Sequence, residues 1–323
     1  MPQPTSQQVH VSRPLTDISV AYIQDASAYV AGQAFPNIPV AKQADQYFVY
    51  SREDFYRIQA AKRAPGTESA GSGFDLTTDN YFADVYAFHK DVDDDTRANS
   101  DAAIDPDRDA SQYVTQQLLL LREQEWFNAF FNTGIWGVDR AGNAAPAGTQ
   151  FLFWNDAASD PVADVRFSAT DIESRTGFRA NTLVLGPAAW NAIADNDSVL
   201  DRIKHTQLGI TTPQLVAAAM EIDRILVARA VRNTAGEGAA EATSHFAADQ
   251  ALLCYVNPTP SLQQPSAGYT FSWTGRVGAG QFGNTISSLR APLIKSDRIE
   301  GEMAFDQKLV AAELGVFFDN AVN

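Results

Sequence analysis

The sequence predicts an α+β chain with an unusually long β-hairpin, and three observations lead there. Residues 45–57 and 80–92 are both rich in Tyr, Phe and Val and flank the turn-forming stretch "RAPGTESAGSGFD". Residues 106–132 carry one unbroken helical pattern, and from Asn181 onward short apolar runs alternate with short helical ones.

Residues 1–34 are polar with small apolar patches (Ile18, Val20, Tyr22, Ile23) and are expected to form an extended arm. Phe35-Pro36 and Ile38-Pro39 then restrict the backbone to extended conformations. The hairpin follows, with strands over Asp45–Arg57 and Asn80–Val92 and Pro65, Gly66, Gly71 and Gly73 at its tip. A dozen residues per strand would reach roughly 40 Å. A lone two-stranded ribbon is marginal in water, so Tyr47, Phe48, Tyr50, Phe55, Tyr56, Phe74, Tyr81, Tyr86 and Phe88 are expected to meet another protein surface. Asp105 is placed to cap the helix that follows, Pro106 suits its first position, and Asp107 and Asp109 favour its positive end. Gly134 stops it after about 27 residues, or roughly 40 Å. Its apolar side chains cover much of the circumference, which predicts packing on more than one side.

A connection at Phe151–Asp164 leads to a predicted strand at "NTLVLG" and helices at Pro187–Ala194, Ser198–Lys204 and Thr212–Glu221. "RILVARAV", "QALLCYV" and "YTFSWTGRV" read as further strands, "NTAGEGAAEATS" as a flexible loop, and Thr285 onward as β segments.

The bulk numbers narrow the function classes. A chain of 323 residues can bury a sizeable core. Its net charge of −15, with only 24 Lys plus Arg, opposes a broad phosphate- or lipid-binding face. Cys254 is the only cysteine, so neither an intrachain disulfide nor a multi-cysteine metal cage can form. No signal-peptide core and no membrane-spanning run is visible, and a reducing cytoplasm is the expected folding compartment.

Sites of chemistry are scarce. "GAGQFG" (Gly278, Gly280, Gly283) matches the dinucleotide spacing but is followed by the β-like "NTISSLR", which supplies no helix N-terminus for a pyrophosphate. The acidic run from Asp91 through Asp93, Asp94 and Asp95 invites a calcium reading, yet the sixth and twelfth positions hold Thr96 and Ala102 instead of Gly and Glu. A solvated acidic turn is the expectation. His10, His89, His205 and His245 share no ligand spacing, and Cys254 sits in an apolar strand where a thiol is buried and inert. Glu123 and Glu125 point to different faces of the helix. We expect no catalytic residue, no cofactor and no metal.

Five stretches, in order, resemble the major capsid proteins of tailed bacteriophages, which have the Hong Kong 97-type fold. They are "FPNIPVAKQADQYFVYSREDFYR", "WNDAASDPVADV", "NTLVLGPAAWNAIADNDSVLDRIK", "DRILVARAVRNTAGEG" and "LIKSDRIEGEMAFDQKLVAAELGVFFDNAV". The resemblance implies an N-terminal arm (1–44), an extended loop (45–92) reaching over a neighbouring subunit, and a peripheral domain (93–180 and 286–312) with a spine helix at 106–132. It also implies an axial domain (181–285) around a hexamer or pentamer centre and a C-terminal strand (313–323). The function implied is a non-catalytic shell subunit of a virion, assembled in the host cytoplasm. Its partners would be further copies of itself, a separate scaffolding protein, a portal and a decoration protein, with no specific nucleic-acid recognition and no membrane. Some members of the family carry a cross-linking lysine in this hairpin; Lys62 lies near the tip, but its register does not match it to that lysine, and cross-linking is not the expectation. The alternatives are the shell of a cellular nanocompartment and, from another class, a nucleotide-binding enzyme built on the α/β segment.

Overall fold

The computed structural model describes residues 24–100, 105–204, 211–257, 259, 264–277 and 285–323. The first part of the expected arm, "GAGQFG", His10 and His205 lie outside the described residues. The chain runs through a 3-10 turn (Ala26–Ala28), α1 (Ala31–Ala34), β1 (Asn37–Val40), β2 (Ala44–Tyr50), α2 (Arg52–Tyr56), β3 (Leu76–Phe82) and β4 (Asp84–Asp93). Next come α3 (Asp94–Asn99), α4 (Pro106–Phe130), β5 (Val138–Ala141), α5 (Pro161–Thr176) and β6 (Thr182–Leu185). They are followed by α6 (Pro187–Asp195), α7 (Asp197–Ile203), α8 (Pro213–Met220), β7 (Arg224–Val227), β8 (Val231–Asn233), β9 (Thr243–His245) and β10 (Ala251–Cys254). The last are β11 (Gly268–Trp273), α9 (Thr274–Val277), β12 (Thr285–Ala291), β13 (Ser296–Leu309) and β14 (Gly315–Asp319).

Two five-stranded sheets organise these elements. One has the order β1-β11-β13-β12, with β4 also pairing with the long β13; the other has the order β5-β14-β10-β6-β7. The second sheet and helices α5 to α8 enclose the main core, built on Leu183, Leu185, Leu252, Leu253, Phe317 and Phe318, all essentially without exposure. β2 and β3 form a separate antiparallel ribbon.

The long helix α4 joins the two sheets. Asp105 caps it, accepting from the amides of Asp107 and Arg108 at 3.2 Å each. Its buried residues recur every fourth position: Ala110, Val114, Leu118, Arg122, Trp126 and Phe130. Four residues advance a helix by roughly 40° beyond a full turn, so over this stretch the buried stripe winds about halfway round the axis. Val114 and Leu118 therefore meet Met303 and Phe305 of the first sheet, while Trp126 and Phe130 enter the main core beside Phe35. Gly301 on β13 permits the approach, because a Cβ there would lie 2.6 Å from Val114 and 2.7 Å from Leu118.

Glu123, fully buried on the same helix, holds the entry of the chain. Its carboxylate accepts the Val30 amide at 2.8 Å and the Ala31 amide at 2.9 Å, capping α1 from another element. Burial pushes its pKa up to about 7 against the opposing pull of those two amides and of Arg122.

Several expectations are corrected. Within the expected arm, Tyr29, Val30, Ala31, Ala34 and Phe35 are buried and partly helical, with Phe35 packed on Trp126 and Phe130. The strand read over Asp45–Arg57 ends at Tyr50, and α2 follows, favoured by Glu53 and Asp54 in its first turn. The partner of β2 is Leu76–Phe82, not Asn80–Val92; buried Ala83 separates β3 from β4, which belongs to the first sheet. The segment "RILVARAV" is a strand only over Arg224–Val227, with pairing resuming in β8. α5 begins inside the expected connection Phe151–Asp164 and continues through residues for which no element is expected. Its signals were present: Asp160 accepts the Ala163 amide, Pro161 opens the helix and Gly177 closes it at φ 72°. β11, which the sequence places with the axial segment, pairs with β1 and β13, whereas β5 joins the sheet of β6, β10 and β14.

Two measurements check these packing arguments. Gly301→Ala should cost about 1–3 kcal/mol in denaturant unfolding, by wedging a methyl between β13 and α4. Because folded Glu123 keeps a proton that the unfolded chain releases, stability should decline as pH rises from about 4.5 to about 7. Glu123→Gln should flatten that decline, since a carboxamide does not titrate in this range.

Candidate assembly interface

The sequence-predicted contact residues divide into a fixed root and an exposed tip. At the root, Tyr81 stacks on Phe271 at 4.6 Å between ring centroids, and Tyr47 stacks on the same ring at 5.7 Å. The Tyr47 hydroxyl donates to Asp79 at 2.7 Å, and its pKa is pushed up by burial and by that carboxylate. The Phe82 amide donates to Asp306 at 3.0 Å, tying the end of the ribbon to β13. Tyr86 stacks on Phe305 at 4.9 Å, and Phe88 meets Tyr113 edge-on. Tyr47, Tyr81, Tyr86 and Phe88 thus pack on the chain's own body. Strand alternation could not reveal this, because it does not say which sheet a strand joins.

At the tip the aromatics turn outward. Tyr50, Phe55 and Phe74 form a three-ring cluster with centroid separations of 6.0, 5.9 and 5.5 Å, although Phe55 is 56% and Phe74 58% exposed. Phe48, Leu76 and Phe82 add exposed apolar area along the ribbon, and Ile58 is 94% exposed just beyond α2. Lys62 lies in the exposed stretch beyond Ile58. Tyr56 faces the chain itself, its hydroxyl donating to the Thr176 carbonyl at the end of α5.

Further exposed apolar side chains, which the sequence analysis missed, are Ile286 and Leu289 on β12 and Leu293 and Ile294 in the turn after it. Their signal was apolar residues interleaved with Ser in an edge strand, where burial on neither face can be told from periodicity.

The acidic run proves to be an ion-pair network and not a solvated turn. Arg298 holds Asp91 at 2.8 and 3.0 Å, and Arg290 holds Asp94 through two bonds of 2.6 Å. Arg97 bridges Asp107 and Asp297, at 2.7 Å each. These guanidinium bonds hold the carboxyls of Asp91, Asp94 and Asp297 below the usual range. Among the described residues no group of His, Cys, Asp and Glu is arranged to hold a metal ion. No helix of the described residues is long and apolar enough to cross a membrane. Cys254 is buried, and burial pushes its thiol up to about 12.

Two linked sheets, a long helix between them and a projecting ribbon define a Hong Kong 97-type capsid fold. No protein-family model matches the chain. It is similar to the major capsid protein of Burkholderia phage BcepMu, with 24% identity over 223 residues, or 67% of this chain and 68% of that one. Its fold is shared with a phage-related protein from Bordetella bronchiseptica at a TM-score of 0.66 and 22% identity, covering 92% of this chain and 93% of the other. The capsid of cyanophage P-SCSP1u matches at 0.60 and 12% identity over 95% and 91% of the two chains. The SrpI encapsulin of Synechococcus elongatus matches at 0.57 and 12% identity over 96% and 94%.

Carboxylates with depressed pKa values stabilise the fold above the ordinary carboxylate range, and that contribution is lost as pH falls below it. The protection factors of amides in α3 and β12, each taken against the intrinsic exchange rate at that pH, should therefore fall as pH drops from about 5 to about 3, while the main core stays protected. Arg290→Gln should produce the same local opening at neutral pH.

Proposed function

We propose that this chain is a major capsid subunit that assembles with copies of itself, as hexamers and pentamers, into the icosahedral shell of a phage virion, without catalysis. The observation that carries the reading is the exposed Tyr50–Phe55–Phe74 cluster at the end of a ribbon whose root is fixed by stacking on Phe271. Such a tip gains stability by burying its rings on another surface, and the similarity to the BcepMu capsid protein supports a second copy as that surface. Phe48, Phe55 and Phe74 are the contact residues in this reading, with Lys62 beside them. The peripheral part comprises the sheet of β4 and β13 with the N-terminal half of α4; the axial part comprises the sheet of β6, β7 and β10. Assembly in the host cytoplasm with a scaffolding protein, a portal and a decoration protein belongs to the same proposal. The likeness to an encapsulin favours a second reading, a nanocompartment shell, which differs in enclosing protein and not a genome.

Electron microscopy of the protein expressed alone and with its scaffold checks the proposal. Closed shells or six-fold rings are expected, and monodisperse monomers under both conditions would refute it. Deleting Arg63–Phe74, or replacing Phe55 and Phe74 together by Ser, should leave folded subunits that form no closed shell. Nuclease-resistant DNA in particles from infected cells separates the virion from the nanocompartment.

A further inference from the structure

The arm is not free along its whole length. α2 has only five residues, too few to hold helical structure in water unaided. Two contacts fix it to its own body. The Tyr56 hydroxyl donates to the Thr176 carbonyl, and Arg52 lies 4.0 Å from Glu313 in the turn before β14. Thr176 is the last residue of α5, and Gly177 turns the chain away at φ 72°, which leaves that carbonyl open to an outside donor. Gly177 also makes room, since a Cβ there would lie 3.0 Å from the Tyr56 hydroxyl. Beyond α2, residues 60–75 are exposed throughout, and Gly66, Gly71 and Gly73 have nothing within 4 Å of their Cβ positions, so the loop can re-route without clashes.

We propose that this docking is a reversible self-latch. It holds the arm against its own subunit before assembly and opens so that the Tyr50–Phe55–Phe74 tip can engage a second copy. Docked, the tip's reach is set by its own body; released, the Gly-containing segment lets it swing to a neighbour. The contact is one hydroxyl bond and one long ion pair between exposed groups, which keeps it weak enough to exchange. The second half of the inference rests on the shell reading, while the latch itself does not.

Tyr56→Phe keeps the ring and removes the donor; Arg52→Gln removes the ion pair. In subunits kept below their assembly concentration, amide exchange in residues 51–75 should be about fivefold faster in Tyr56→Phe than in the wild type, from loss of one hydrogen bond. Exchange in α5 and β14 should stay unchanged, and light scattering should show faster shell nucleation. Unchanged exchange in 51–75 would overturn the latch whatever the assembly result. Faster exchange with unchanged or slower nucleation would overturn its role in assembly. Faster exchange in a chain that never assembles, wild type included, would uphold the latch and refute the shell reading.

Discussion

The winding buried stripe of α4 is the constraint on which the other elements depend. Had its apolar residues kept to one line, the helix would bind one sheet and leave the other as a separate body. The four-residue spacing from Ala110 to Phe130 carries the buried face round the axis, so one helix lies on β13 at one end and in the core of β10 and β14 at the other. Gly301 sets how near it lies to β13, and Glu123 uses the same helix to tie down the entering chain. The root of the ribbon is then placed relative to the main core through β13, which carries both the α4 contact and the Asp306 tether.

Much of this was legible in the sequence. Asp105 and Pro106 marked the start of α4 because helix ends need local partners that a few residue types supply, whereas its end falls at Phe130 with Phe131 as the cap, before the expected stop at Gly134. The strands at Thr182–Leu185 and Ala251–Cys254 were readable as short apolar runs because both faces are covered. What escaped was non-local pairing. Nothing within Asp84–Asp93 says that it bonds to β13 and not to β2, since both choices satisfy the same alternation. Glu123 was read by its helical face alone; that its acceptors meet Val30 and Ala31 depends on residues far away along the chain. The acidic run was misread for the same reason, its arginine partners Arg290 and Arg298 lying on β12 and β13. The aromatics of the hairpin stand out in the sequence as a group, yet their division into root and tip needed the sheet assignments.

The surface shows two ways of handling groups that would be costly to leave alone. Carboxylates are neutralised in place by Arg97, Arg290 and Arg298, which knit α3, α4, β12 and β13 together. Apolar side chains at the ribbon tip and on β12 are left uncovered. A chain that spends ion pairs on internal order and reserves greasy surface for the outside is organised for association with something else.

The stacked ring of Phe271 at the foot of the ribbon has a mechanical consequence. A lever fixed at its base and compliant at its far end converts small angular differences between neighbours into displacements that only the last few residues must absorb. In the shell reading, copies in slightly unequal surroundings would need such a tolerance, and the stretch carrying Gly66, Gly71 and Gly73, with nothing packed around those positions, would supply it.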